Sequence, residues 1–297
     1  MLQLVFNPTA GKGRARKALD LVTAFLEARG VAYELHLTEG PGHATELAAG
    51  TPRGSTVVAL GGDGTVHEVV KGLLRDGTAV DRTCGRVLGV LPLGSGDDFA
   101  FSMGMDRHDL PDALARLVAG ERSDVDLAFV NGEPFLNALG TGFDAEVAQR
   151  VRTSPRLLRG LAGYLYSVVT TLAILDCPPA RVHVDGELVH DGPALLIGAQ
   201  NGPRTGGSFL FAPEAVTNDG LLDVVIADRL TRVGTMRLLP LVMRGLHVGH
   251  PAVALHRGRS LRIDWESARP GHADGEALPL SARYEVELLP GALTVIA

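Results

Sequence analysis

The sequence predicts an α/β domain followed by an antiparallel β domain, and three observations carry that expectation. Up to about Asp124, apolar runs of strand length alternate with stretches of helical periodicity, the pattern of a parallel sheet covered by helices. Three of those runs end in glycine-rich turns that open directly into the next helical stretch. Beyond Asp124 the rhythm changes to short, alternating segments separated by Gly, Asn, Asp and Pro, which read as antiparallel strands.

Taken in order, LQLVF is a buried strand, and NPTAGKG leads from it into a helix from about Ala15 to Arg29 with Leu19, Val22 and Leu26 on one face. VAYELHLT is a second strand, followed by a helix near His43 to Ala49. STVVAL is the third. After the turn LGGDG comes a helix from Thr65 to Leu74, in which Val66, Val69, Val70, Leu73 and Leu74 recur at helical spacing. RVLGVLPLG is the fourth strand and ends in LPLGSGDDFA. Residues 1–124 are thus expected to form the α/β domain and 125–297 a β-sandwich, with the final strand a candidate to return to the first domain. In the second part DLAFVN, EPFLNALGTGF, RVHVDGELVHD, ALLIGAQN, LLDVVIAD, SLRIDW and YEVELLPGALTVIA read as strands. Helical stretches interrupt them from about Ala145 to Leu175 and near Thr231 to Leu246. The longest apolar segment, Leu161 to Leu175, is broken by Tyr and Thr and is shorter than the ~20 residues a spanning helix needs, so it is expected as a buried helix.

A chain of 297 residues with 45% hydrophobic content can fill two cores without cross-links. Its net charge of −6 argues against nucleic acid as a partner. Cys84 and Cys177 are far apart and lack C-x-x-C spacing, which suggests neither a disulfide framework nor a zinc site and suits a reducing compartment. The N-terminal strand carries no charged leader, so a cytoplasmic location is expected. His183, His190, His247, His250, His256 and His272 show no metal-ligand spacing.

The glycine turns carry the chemistry. At a strand-to-helix turn, glycines let backbone N–H groups approach a ligand, and the helix start adds partial positive charge, which suits phosphate. Asp63 cannot itself bind phosphate; it is suited to holding a Mg²⁺ that bridges phosphate oxygens or to orienting a nucleophile. NPTAGKGRA and LPLGSGDDFA have the same character, and three such turns at successive strand ends are expected to converge on one ligand. Neither the P-loop nor the G-x-G-x-x-G spacing fits them.

NPTAGKG, GGDGTVHEVVKGL, LPLGSGDDFA, GTGFDAEV, APEAVTNDGLLDV and the DGE of Asp274 to Glu276 stand in the order seen in the diacylglycerol kinase catalytic-domain family. The chain resembles its bacterial soluble lipid kinases, which are similar to sphingosine and ceramide kinases, over nearly its whole length. GGDG alone is shared with NAD kinases and phosphofructokinases; the ordered set of six carries the resemblance. It implies ATP held between an α/β domain and a β-sandwich. The nucleotide contacts it implies are Asn7, Pro8, Thr9, Ala10, Gly11, Thr38, Gly61, Gly62, Asp63, Gly64, Thr65, Val66, His67 and Ser95. It also implies a Mg²⁺–phosphate network containing Asp63 and Asp126, and a catalytic base supplied by Asp63, Asp274 or Glu276. A structural Mg²⁺ would be held by Asp219 and the main-chain oxygens of Val216 and Leu221.

The second DGE, Asp185 to Glu187, sits between alternating runs and reads as a hairpin turn. His67 lies off the apolar stripe of its helix and is expected to be solvated or beside the nucleotide. Arg150, Arg152, Arg156 and Arg159 read as a solvated helix face. Where the family commonly has Thr and Asn, this chain has Ser95 and Asp97; Asp97 adds a charge beside Asp98 that requires a metal, an arginine or a raised pKa. The expected function is an ATP- and Mg²⁺-dependent lipid kinase with diacylglycerol as leading acceptor, touching the membrane peripherally and transiently, with a homodimer as candidate assembly. The rival readings are an NAD kinase-like enzyme, whose associated Asn-Glu dipeptide is absent from the chain, and a non-catalytic lipid- or nucleotide-binding protein.

Overall fold

Two units make up the structure, a computed structural model that describes residues 1–78, 81–153 and 161–296, the side chains of Lys12, Arg152 and residues 161–165 excepted. The first unit comprises Met1–Leu127, Thr217–Asp219 and Leu289–Ala297; the second comprises Ala128–Val216 and Gly220–Leu288.

In the first unit β1 (Leu2–Phe6), a 3₁₀ turn (Ala10–Gly13) and α1 (Arg14–Glu27) are followed by β2 (Tyr33–Leu37), α2 (His43–Ala49), β3 (Thr56–Gly61) and α3 (Asp63–Leu74). Then come β4 (Val87–Pro92), α4 (Asp98–Ser102), α5 (Leu110–Ala119) and β5 (Arg122–Val130), along which the chain leaves this unit. The strands pair in parallel in the order β2-β1-β3-β4. In this order the connection leaving β1 runs towards β2 and the one leaving β3 runs the opposite way towards β4, so the order reverses between β1 and β3, and it is at the carboxyl ends of the strands at such a switch that open α/β sheets bind ligands. Val57, Val58, Ala59 and Leu60 make β3 a fully buried central strand.

Helix α3 is enclosed by the sheet and by α2. A Cβ on Gly72 would stand 2.6 Å from the Cβ of Ala48, so the two helices touch where only glycine fits. The Glu68 carboxylate accepts the N–H groups of Gly42 (2.8 Å) and Ala44 (3.1 Å), neutralising the start of α2. His67 is 4% exposed, which removes the solvated alternative of the sequence expectation: the flank that looked free in sequence is interior.

The second unit contains β6 (Glu133–Phe135), β7 (Ala138–Gly142), α6 (Phe143–Thr153), α7 (Leu161–Ala173), β8 (Pro179–Val184) and β9 (Glu187–Gln200). These are followed by β10 (Leu222–Asp228), α8 (Arg232–Met243), β11 (Val253–Gly258), β12 (Ser260–Arg269), β13 (Gly271–Ala273), β14 (Glu276–Ala277) and β15 (Ser281–Ile296). The pairing is antiparallel, in the order β14-β13-β7-β9-β8-β12-β15, with β10 joining β9 to β11. Phe135, Ile197, Ile263, Trp265 and Tyr284 fill its core. The last residues of β15, Val295 and Ile296, lie parallel to Leu88 and Gly89 of β4 and extend the sheet of the first unit.

A second apolar layer joins α6 and α7 to β9 and β10 through Phe143, Val147, Val168, Leu172, Leu195 and Leu196. From Tyr166 onwards α7 puts Val168 and Leu172 into this layer but leaves Tyr166 and Val169 exposed, so this part of the apolar segment is not the buried helix expected. Among the described residues no helix is long and apolar enough to cross a membrane. Arg150 is partly buried, whereas Arg156, Arg159 and the side chain of Arg152 lie outside what is described.

The DGE of Asp185 to Glu187 is a hairpin turn, with positive φ at Asp185 (49°) and Gly186 (83°). Burial raises the Asp185 pKa, but N–H groups of Ser260 and Arg259 and the Ser260 hydroxyl outweigh it and hold the carboxyl below its ordinary value. A lowered aspartate pKa stabilises the fold above the unfolded value and loses that effect as pH falls through the folded one. Asp185→Ala is expected to cost about 1–2 kcal/mol in urea unfolding at pH 7, to approach wild type in strong acid, and to leave turnover unchanged; an equal loss at all pH values would contradict this.

Candidate active site

At the end of β1, Asn7 binds the chain to its neighbour. Its N–H donates to the carbonyl of Leu60 (3.0 Å), and its Nδ2 donates to Thr65 Oγ1 at the start of α3 (3.1 Å). Its Oδ1 accepts the N–H (3.0 Å) and hydroxyl (2.8 Å) of Thr9, closing an Asx turn around Pro8. Thr38 leaves β2 beside this turn, its N–H donating to the Phe6 carbonyl (2.9 Å).

The turns after β3 and β4 cross backbone to backbone. A Cβ on Gly62 would stand 3.0 Å from Gly94 Cα, and one on Gly94 would overlap Gly62 Cα and stand 2.5 Å from Asp97 Oδ1. A Cβ on Gly11, at φ 56°, would overlap the Leu93 carbonyl, so the first turn leans on the third. Asp63 opens α3 and accepts the N–H groups of Asp98 (2.6 Å) and Phe99 (3.3 Å). Both bonds fall on Oδ1, leaving Oδ2 for a ligand. Arg14 donates to the Gly94 carbonyl (2.5 Å) and Arg107 to that of Ser95, fixing the third turn while Ser95 stays exposed. Asn7, Gly11, Gly61, Gly62, Asp63 and Thr65 are thereby brought together with the 94–98 turn. Ala10 and Gly64 are part-buried, and Val66 and His67 are buried in α3.

Asp126 is buried on β5. Its Oδ1 accepts the Gly291 N–H (2.8 Å) and its own N–H donates to the Thr217 carbonyl (2.7 Å). Thr217–Asp219 thus belongs to the first unit. Asp219 and Val216 are exposed and Leu221 is part-buried. Among the described residues no group of three or more His, Cys, Asp and Glu could hold a metal alone.

In the second unit, Asp274 and Gly275 form the hairpin between β13 and β14 with φ of 52° and 82°. The Asp274 carboxylate accepts the N–H groups of Leu136 (2.8 Å), Asn137 (2.8 Å) and Ala138 (3.0 Å), much as Asp185 holds its own neighbours. Glu276 follows, exposed. His272 adds a device that the sequence reading missed. The Gly275 N–H donates to its Nδ1 (3.3 Å), so the ring proton sits on Nε2, 3.2 Å from Asp144 Oδ2. A Cβ on Gly140 would overlap both side chains, which accounts for the glycine and aspartate of GTGFDAEV. The available signal was a histidine two residues before Asp274, coupled to a motif whose aspartate had no assigned task.

Known proteins resemble this chain in sequence and in fold. Residues 1–130 match the diacylglycerol kinase catalytic domain, and residues 137–297 match the YegS C-terminal NAD kinase beta sandwich-like domain. The chain belongs to the diacylglycerol kinase catalytic-domain family of lipid kinases. It is 32% identical to the probable lipid kinase YegS of Salmonella typhimurium, over 95% of this kinase and 92% of that protein. It is 28% identical to the diacylglycerol kinase of Bacillus subtilis, over 92% and 89%. In fold, this kinase resembles a diacylglycerol kinase of Bacillus anthracis (TM-score 0.75, 23% identity, 99% and 96% covered). It also resembles an NAD kinase of Archaeoglobus fulgidus (TM-score 0.54, 12% identity, 100% and 94% covered).

The site of this kinase is short of positive charge. Burial, then the charges of Asp98 and Asp97, push Asp63 up to about 7 against the N–H bonds from Phe99 and Asp98. Burial likewise raises Asp97 to about 6, against the Gly94 N–H, Arg107 and Arg14. The unusual Asp97 is accommodated both by arginines and by a raised pKa. The donor set fits a divalent cation only if phosphate oxygens complete its shell, which is how Mg²⁺ commonly binds.

Two outcomes follow. Gly94→Ala forces apart two backbones and is expected to lower stability by about 2 kcal/mol or more in urea unfolding; an unchanged midpoint would remove the crossing as a constraint. For Asp63 the raised folded pKa favours the folded state below the unfolded value near 4, and that contribution is lost as pH rises through about 7. In metal-free protein, Asp63→Asn is therefore expected to be more stable than wild type at pH 8 by on the order of a few kcal/mol, with the gap closing towards pH 4; no gap at pH 8 would contradict the buried charge.

Proposed function

We propose that this kinase transfers the γ-phosphate of ATP to the free hydroxyl of a membrane-derived lipid, diacylglycerol before others. The observation that carries the reading is the crossing of the three glycine turns beside Asp63 at the ends of β1, β3 and β4. The relative named diacylglycerol kinase supports the choice of acceptor. Backbone N–H groups of the turns from Asn7 to Gly11 and from Gly62 to Thr65 bind the nucleotide phosphates at the start of α3. Thr38 and Ser95 contact the nucleotide at the rim. Asp63 would hold Mg²⁺, and Asp126 would support the network from β5. Mg²⁺ bound there supplies charge neutralisation to the phosphate oxygens. Asp219, with the main-chain oxygens of Val216 and Leu221, is our proposed structural Mg²⁺ site.

Asp274 and Glu276 take different tasks. Both oxygens of Asp274 are engaged by backbone N–H groups, so it shapes the hairpin, and the exposed Glu276 takes the proton from the lipid hydroxyl. His272 and Asp144 hold that hairpin through Gly275.

The test is transfer of labelled γ-phosphate from ATP and Mg²⁺ to diacylglycerol, monoacylglycerol, ceramide or sphingosine in mixed micelles, with NAD as soluble control. Label is expected in diacylglycerol. Glu276→Gln should cost about 10²–10⁴-fold in turnover with ATP binding retained. Label in NAD alone would overturn the lipid reading, and full turnover in Glu276→Gln would return the base to another carboxylate.

A further inference from the structure

Between Asp228 and Asp264 the chain carries no acidic residue, yet it holds seven arginines, in a protein whose net charge is −6. Helix α8 lies in this stretch. Thr231 caps its start by accepting the Gly234 N–H (3.1 Å), and Thr235, Leu238 and Val242 face inward. Its outer face is as apolar as its inner one: Val233, Met236 and Met243, with Leu246 and Val248 just beyond, are 48% to 57% exposed. At about 100° per residue, the exposed positions Arg232, Met243, Met236, Pro240, Val233, Arg244 and Arg237 fall in that order within an arc of about 140°. Arginines therefore flank an apolar stripe on both sides. Among the described residues, no carboxylate pairs with Arg232, Arg237 or Arg244. Neighbouring α7 packs on the same apolar layer and exposes Tyr166, Val169 and, beyond its end, Ile174.

We infer that the outer face of α8 docks this kinase onto an anionic phospholipid bilayer, with Val233, Met236 and Met243 entering the acyl boundary and Arg232, Arg237 and Arg244 meeting lipid phosphates. Charge complementarity selects this occupant. Apolar patches of this kind on a soluble chain mark interaction surfaces, and a basic rim around an apolar stripe is the pattern of a helix lying in a membrane interface. A second copy fits poorly, because a two-fold contact would set the arginine-rich face against itself. Nucleic acid fits poorly because the centre of the face is Met and Val. The inference rests on the lipid-kinase reading for its purpose, but binding is measured without ATP, so the two can fail separately.

The test is co-sedimentation of the full chain with vesicles of phosphatidylcholine alone or mixed with phosphatidylglycerol, at low and high salt. Wild type is expected to bind the anionic vesicles and to be released by salt. Arg237→Gln with Arg244→Gln should weaken that binding roughly thirty-fold, at about 1 kcal/mol per arginine. Val233→Ser with Met236→Ser should weaken it on both vesicle types. Both variants should keep wild-type phosphotransfer to a water-soluble short-chain diacylglycerol. Absence of wild-type binding, wild-type affinity in the variants, or a dimer that Met236→Glu dissociates would each overturn the inference.

Discussion

The first unit is organised by one contact, the crossing of Gly62 over Gly94. Two chain segments that leave neighbouring parallel strands approach more closely than any side chain allows. That approach places the start of α3 within reach of the N–H groups of Asp98 and Phe99, so the Asp63 carboxylate bonds to the third turn although it belongs to the second. Asn7 makes the matching connection from the first turn to Thr65. Three loops that would separately be loose become one rigid surface of backbone donors, and its rigidity comes from missing side chains rather than from added ones.

The closeness has an electrostatic consequence. Asp63, Asp97 and Asp98 are brought into a partly dry space, and two of them are pushed towards neutral pH as a result. Arg14 and Arg107 spend their donors on carbonyls of the 94–95 segment and only partly offset the negative charge. A fold selected for stability alone would replace one of these carboxylates with a neutral residue. Their presence is intelligible if a cation completes the site, and stability is given up for that function.

How much of this was legible depended on the kind of signal. The alternation of strand and helix needed only periodicity, and the glycine turns announced themselves because glycine at a strand end has a backbone reason. Asp97 was visible as a charge needing a metal, an arginine or a raised pKa, but which arginines serve, Arg14 and Arg107, depends on how the turns meet. By local pattern the two DGE segments look alike, since each is a hairpin with positive φ at its aspartate, and only the order of the motifs set them apart; in the structure they differ in the backbone each carboxylate holds, Ser260 in one case and Leu136 to Ala138 in the other. Of the two places expected for His67, in solvent or beside the nucleotide, the first fails because its burial is a tertiary fact that no pattern within α3 contains. The apolar run of α7 could not reveal that Tyr166 and Val169 stay uncovered. The pairing of His272 with Asp144 joins residues 128 positions apart, beyond any local signal.

The central claim, that nucleotide phosphates and their metal sit on the crossed glycine turns, is tested most directly by a crystal structure with a non-hydrolysable ATP analogue and Mn²⁺, locating the metal by its anomalous signal. The account requires the triphosphate against the backbone of Gly11, Gly62 and Gly94 and the metal bound to Asp63, directly or through water. A nucleotide bound elsewhere, or a metal with no link to Asp63, would contradict it.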